Sequence, residues 1–339
     1  MVTLREVARI AGVSLATASR VMNGYKGVSE KTRQHVLSVS RDLNYQYEYR
    51  QHARKNITIG VLLSKNIGEN LGLYPTLHTI NVGILDQCND AKVLNSMLLI
   101  DLDKPITETL FDRKVDAYIL VGTNQAEEDL IIPLLMNRRI PFVIVNRWVE
   151  RRHISYVNTD DFHSVCDATL RMIAQGHRKV AFANGSKSIR KSTQRLEGFR
   201  AACQLAEISI REDWIFHGDY DEDNGLQVGR WLAQQPELPT LVITASDLIA
   251  IGVIKALDQH GIRVPEDVSV VGYGDVPAAA YFTPALTTVR MPAHDLGVEA
   301  VKAVLRMVEN PGIRHIKLAM DSEFIARDST RPLLPEKER

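Results

Sequence analysis

The sequence is poor in cysteine. Its 339 residues carry three, Cys88, Cys166 and Cys203, odd in number and too scattered for a CxxC pair. That excludes a disulfide scaffold and a thiolate metal centre, and it fits a reducing cytoplasm. Long apolar runs are missing too, so no membrane-spanning helix is expected. The amino terminus is polar and patterned as a helix, which is not how a secretory signal begins. Enzyme motifs are also absent. The first candidate strand runs into "SKNIGENLG" rather than a GxGxxG turn, and the "GYG" at Gly272–Gly274 is an isolated fragment. No HExxH, Walker loop or Ser/His/Asp set occurs, and His163, His177 and His217 stand alone. No catalytic residue, metal site or cofactor is therefore expected, and a cofactor-dependent enzyme is the weakest reading.

Net charge is absent only in sum. Residues 1–55 hold ten Lys/Arg against four Asp/Glu, a balance of +6, while the whole chain has 41 of each, so the remainder carries −6. A basic head on an acidic body directs the head toward a polyanion. The length suffices for two or three compact units. A hydrophobic content of 45% and a charged content of 24% are ordinary for a globular chain.

Local signals in the head are dense. Thr3-Leu4-Arg5-Glu6 has the form of a capping box, followed by Leu4, Val7, Ala8 and Ala11 on one helical face. Gly12 ends that helix as the residue after the cap. Ser14 starts a second helix from Leu15 to about Met22, with Ala18, Val21 and Met22 inward. Ser29 starts a third, whose Thr32, Val36, Val39, Ser40 and Leu43 face the core. Two short helices joined by a glycine turn form a helix-turn-helix. The outward side of the second helix is Leu15, Ala16, Thr17, Ser19 and Arg20, small groups and one forked cation without a carboxylate. Such a surface can enter a major groove. Ser14, Thr17 and Ser19 hydroxyls can reach phosphates. Arg20 can bind guanine bidentately, and Leu15 and Ala16 can touch thymine methyls.

From residue 57 onward, short apolar runs alternate with helical segments: "ITIGVLL", "NSMLLI", "DAYILVG", "PFVIVN", "RKVAFANG", "TLVITAS" and "VSVVGYG". This alternation implies doubly wound parallel sheets, with ligands at the carboxyl ends of the strands. The first four runs make one lobe and the next three a second. "LTTVRM" and "IKLAMDSEFIARDST" return the chain between them. Strand ends then offer Ser64, Asn146, Ser246 beside Asp247, and Tyr273, Gly274 and Asp275.

The head segment "TLREVARIAGVSLATASRVMNGYKGVSEKTRQHVLSVSRDLNY" resembles the DNA-binding domain of the LacI/GalR family of transcription regulators. "ASDLIAIGVIKAL", "RVPEDVSVVGYGD" and "PALTTVRM" resemble the periplasmic-binding-protein-like core of the same family, so the likeness spans nearly the whole chain. It implies that Leu15, Ala16 and Arg20 read bases, and that Ser14, Thr17, Ser19, Asn23, Ser29 and Tyr45 hold the DNA backbone. It further implies that Arg195 in "STQRLEGF" anchors an effector and that Tyr220 in "GDYDEDNG" stacks on it, with Ser64, Asn146, Ser246 and Asp275 reading hydroxyls. Sugars suit such groups. One stretch departs from the family: "QYEYRQHARKNITIGV" lacks the usual proline and wedge leucine, so a kinking hinge helix is not expected there.

The expected fold class is α/β: an N-terminal three-helix helix-turn-helix head plus a two-lobed periplasmic-binding-protein-like core of doubly wound parallel sheets. The expected domains are a head at 1–46, a hinge or linker at 47–57, and a core at 58–339. Within the core, lobe 1 covers about 58–158 and 291–318, and lobe 2 about 159–288 and 319–331. The expected function is a cytoplasmic, ligand-responsive regulator, a repressor of carbohydrate-utilisation genes in first place. It acts as a homodimer on double-stranded operator DNA, with no membrane partner and with a neutral sugar in the interlobe cleft. Arg195 is expected to face water there until the sugar arrives. A purine or nucleoside effector is the alternative, and regulators of galactose and β-galactoside genes are the nearest resemblance of the body.

Overall fold

The structure, a computed structural model, describes residues 4–22, 28–43, 57–112, 114–148 and 153–333. It falls into two compact units, Met1–Ile57 and Thr58–Arg339.

The first unit holds α1 (Leu4–Ile10), α2 (Leu15–Met22) and α3 (Glu30–Asp42). Gly12 has φ +63, and the Gly12 and Val13 amides donate to the Arg9 and Ala8 carbonyls at 3.3 and 3.0 Å. That pair of bonds is a Schellman motif, which needs the left-handed residue that glycine supplies without strain. Ser14 Oγ accepts from the Thr17 amide at 3.0 Å and Ser29 Oγ from the Thr32 amide at 3.2 Å, so each serine caps the helix that follows it. Val7, Ala8, Ala11, Ala18, Val21, Val36 and Val39 close a small common core. Thr3, the Met22 side chain and the whole 47–56 connection lie outside the described residues.

In the second unit the order is β1 (Thr58–Ser64), α4 (Lys65–Glu69), α5 (Pro75–Asp90), β2 (Leu94–Ile100), α6 (Ile106–Phe111), β3 (Ala117–Val121), α7 (Gln125–Asn137), β4 (Phe142–Val145) and β5 (Tyr156–Thr159). There follow α8 (Asp161–Ala174), β6 (Val180–Asn184), α9 (Arg190–Leu205), β7 (Ile215–His217), α10 (Glu222–Ala233), β8 (Leu241–Thr244), α11 (Asp247–Gln259), β9 (Ser269–Gly274), α12 (Pro277–Tyr281) and β10 (Thr287–Arg290). Last come α13 (Ala293–Glu309), β11 (Lys317–Met320) and β12 (Glu323–Ile325).

These strands form two six-stranded sheets, ordered β11-β5-β4-β3-β1-β2 and β12-β10-β9-β8-β6-β7. Every pairing is parallel except β10 with β12. Strands β1, β3, β4, β6 and β8 are buried almost end to end because helices cover both faces. Leu62, Tyr118, Leu120 and Ile144 pack with Ile131, Ile132 and Leu135 of α7, and each such side chain stabilises the lobe by ~1.5–3 kcal/mol. Gly83 and Gly297 let α5 and α13 touch backbone to backbone, since a Cβ on either would overlap a carbonyl oxygen of the other helix. The chain passes between lobes after Thr159, after Arg290 and after Met320. Both sheets repeat one strand order, so each has its switch point beside its first strand, β1 in one and β6 in the other. That is where a ligand crevice forms in such sheets.

Candidate DNA-binding and effector sites

On the head, Leu15, Ala16 and Arg20 are exposed on α2, while Thr17 and Ser19 are half-buried beside them. The helix contains no acidic residue. Ser14 Oγ lies 2.9 Å from Thr17 Oγ1 and Ser29 Oγ 2.7 Å from Thr32 Oγ1, so the capping hydroxyls stand at helix starts, where backbone amides also point outward. The face is small, hydroxyl-rich and basic, which is what close approach to a phosphate backbone requires. Asn23 and Tyr45 lie outside the described residues.

In the core, the groups expected at the strand ends meet residues the sequence reading missed. Arg195 on α9 is 5% exposed. Its Nε and Nη2 donate to Asp161 Oδ1 at 2.9 and 2.7 Å, and its Nη1 donates to the Ala245 carbonyl just past β8. The guanidinium carbon sits 3.8 Å from the Tyr273 ring centroid and 5.7 Å from that of Tyr220. Tyr273 donates its hydroxyl to Asp161 Oδ1 at 3.0 Å. Lys191, one helical turn before Arg195, places its ammonium 3.4 Å from Asp161 Oδ2. That ammonium also donates to Asn146 Oδ1 and, at 3.5 Å, to Thr159 Oγ1, both on the other lobe.

The electrostatics follow from this packing. Burial alone would raise the Asp161 pKa, but Arg195 and then Lys191 outweigh it and hold the carboxyl below its ordinary value. Burial, reinforced by Arg195 and opposed by Asp161, pushes Lys191 down to about 8. Burial, with Asp161 next, raises the Tyr273 phenol, so it donates rather than ionises.

Arg195 thus does not face water, as the sequence reading expected. Asp161 at the start of α8 partners it, because α8 and α9 approach closely at Gly198, where any Cβ would overlap the Phe162 carbonyl. Tyr220 is half-buried, lies over Gly185 and pairs its hydroxyl with Ser192 Oγ at 2.8 Å. Asn146 has φ +59, a left-handed conformation that asparagine tolerates, and it points at Lys191. Ser246 is the N-cap of α11, accepting from the Ile249 amide at 3.2 Å. Ser64 is buried and donates to Glu127 on its own lobe. Asp275 is ion-paired to Arg290 at 2.7 Å and Arg327 at 2.6 Å. It also lines a cleft of about 290 Å³ between Pro75–Thr79 of α5 and Arg290–Asp295, beside the crossing after β10. Arg195, Tyr220 and Asn146 therefore come together around Asp161 and Lys191, whereas Ser64 and Asp275 are held by other partners. The signal for Lys191 was its i, i+4 spacing from Arg195; Asp161 offered none, because the short strand before it is not legible as an apolar run.

A basic helix-turn-helix joined to a two-lobed core with a polar seam defines a ligand-gated DNA-binding regulator. Residues 3–47 match the family described as bacterial regulatory proteins, lacI family, and residues 169–330 match the periplasmic binding protein-like domain. The probable HTH-type transcriptional repressor ExuR of Bacillus subtilis (strain 168) is 28% identical, with 98% of this chain and 99% of that protein aligned. The ribose operon repressor of Haemophilus influenzae is also 28% identical, over 97% of this chain and 98% of its own. Among solved structures, a transcriptional regulator CelR–cellobiose complex is 27% identical, with a TM-score of 0.72 over 97% of this chain and 100% of that one. The chain thus carries a lacI-family DNA-binding domain followed by a periplasmic-binding-protein-like domain, and the relatives it resembles are transcriptional repressors. No helix among the described residues is long and apolar enough to cross a membrane.

Proposed function

We propose that the protein is a cytoplasmic repressor of carbohydrate-utilisation genes, released from or fixed on its operator by a sugar bound between the lobes. The seam itself carries this reading: Lys191 of one lobe is bonded to Asn146 and Thr159 of the other, so a ligand that engages these groups must act on both lobes at once. A ligand shifts an equilibrium only through different affinity for the two arrangements, and a polar bridge supplies that difference. The relatives named for ribose and crystallised with cellobiose support a sugar as the ligand class. In the head, Arg20, Leu15 and Ala16 read bases, and Ser14, Thr17, Ser19, Asn23, Ser29 and Tyr45 hold the backbone. Two heads from a homodimer meet the half-sites of a pseudo-palindromic operator.

The test is a gel shift of the full chain on DNA flanking its own gene, repeated across a panel of hexoses, hexosides, sugar acids and purines. Retardation of a two-fold-symmetric fragment, altered by a sugar in the wild type and not in Arg195→Ala, is the expected result. Response to a purine alone would remove the sugar, and no retardation of any fragment would remove the operator.

A further inference from the structure

Three ionised groups are buried together at the seam: Lys191 at 8% exposure, Arg195 at 5% and Asp161 at 0%. Two are cations and one is an anion. Arg195 takes Asp161 Oδ1 through two short bonds, and Tyr273 takes the same oxygen. Asp161 Oδ2 is left with Lys191 at 3.4 Å and no hydrogen bond, a longer approach than a charge-assisted pair adopts. The remaining Lys191 partners, Asn146 and Thr159, are neutral. Asp161 and Arg195 are the charged groups that act on Lys191. Among the described residues, the cluster of Lys191, Arg195 and Asp161 therefore carries one positive charge with no counter-charge in contact with it.

The other ion pairs around it are balanced, and the buried Glu127 and Asp247 carboxylates are taken up by hydroxyls and backbone amides of their own lobes. Arg147 is matched by Glu128, and Lys65 by Asp101. Arg290 and Arg327 share Asp275 and Glu323. A buried ammonium without an anion is costly in a medium that solvates it poorly. The shift of the Lys191 amine down to about 8 is the same cost seen as a titration. A ligand that delivers one negative charge removes it.

We propose that the effector is a sugar acid, a polyhydroxylated molecule with a single carboxylate, and that Lys191 is the residue that selects it over the neutral sugar. The proposal rests on the sugar reading above and narrows it. The carboxylate takes the ammonium from Asn146 Oδ1 or adds to that bridge. Asp161 keeps Arg195 ordered, and the guanidinium and Tyr220 face the hydroxylated ring. The charge count favours a monoanion. A phosphate ester with two charges would place a surplus negative charge beside Asp161.

Titration calorimetry on the full chain tests this, using galacturonate, glucuronate and gluconate, then galactose and glucose, then the hexose 6-phosphates, then purines. Wild type should bind one acid at least ~10-fold more tightly than its neutral counterpart, about the factor that 1.4 kcal/mol represents. Lys191→Met should bring the acid-to-neutral ratio close to one, and Lys191→Arg should keep it well above one. A folding defect would lower both affinities together and leave their ratio unchanged. Equal or tighter binding of a neutral sugar by wild type overturns the proposal, as does preference for a phosphate or a ratio unaltered in Lys191→Met. Any of these leaves the sugar reading intact. Binding of purines alone, or of nothing in the panel, overturns the sugar reading together with the proposal.

Discussion

Asp161→Asn should be among the most damaging single-atom exchanges in the core. The carboxylate is fully buried and accepts two guanidinium bonds, at 2.9 and 2.7 Å, and one phenol bond at 3.0 Å, with an ammonium at 3.4 Å. An asparagine oxygen can accept some of these bonds but carries no charge, so Arg195 loses its counter-ion and the buried cluster goes from one unmatched positive charge to two. Removing one partner of a buried pair costs ~3–5 kcal/mol. For a unit of this size each kcal/mol lowers Tm by ~2–4 °C, so the fall should be on the order of 10 °C. The comparison is Glu323→Gln, which removes a carboxylate of 67% side-chain exposure 3.1 Å from Arg290 and should change stability by about 1 kcal/mol or less. Thermal and urea unfolding of the full chain at pH 7 read both. The pH dependence has a definite sign. The folded Asp161 pKa lies below its unfolded value, so its stabilisation is present above the ordinary carboxylate range and is lost as pH falls through the folded value. The gap between wild type and variant should therefore begin to narrow only below about pH 4 and close as the pH falls through the lower folded value. In the variant Lys191 loses the anion that raises its pKa, so its amine falls below the wild-type value of about 8, and part of the loss should return as pH rises toward 8. A difference under about 1 kcal/mol at pH 7 would refute the idea that this carboxylate holds the seam together.

Other outcomes follow from the same geometry. Gly83→Ala puts a methyl into the His294 carbonyl and should cost ~1–3 kcal/mol, read as a lower urea midpoint; an unchanged midpoint would mean that α5 and α13 separate freely. Arg20→Ala should cost about 1–3 kcal/mol at the preferred DNA site and relax its sequence preference, while Ser19→Ala weakens all sequences evenly; equal losses on specific and random DNA would deny Arg20 a base contact. Cys88 and Cys203 are fully buried, and burial pushes their thiols up to about 11, so a disulfide reagent at pH 8 should label them only as the chain unfolds. Rapid labelling of the native protein would contradict that burial.

The head was legible in its sequence because its determinants are local. Gly12, Ser14 and Ser29 act within a few residues, and the Val7, Ala18 and Val36 core follows helical spacing. The long strands β1, β3 and β9 were legible as apolar runs. The short β5 and β7 were not, because "YVNT" and "IFH" become strands only through their neighbours, β4 and β11 in one case and β6 in the other.

The seam shows where such reading stops. Arg195 was visible as a family likeness, yet its partner Asp161 lies 34 positions earlier and reaches it only because two helix starts converge. Lys191 sits in plain view four residues before Arg195, on the same face of α9, but a lone lysine on a helix is ordinarily read as solvated. Its burial depends on Asn146 and Thr159, which another lobe supplies through an early crossing of the chain. Each of these residues is unremarkable in sequence; their summed charge is not, and it exists only after three distant segments have met. On the proposal made above, ligand class follows from that sum rather than from any motif. A core of this kind can therefore keep its family fold while changing what it senses through one substitution at the position of Lys191.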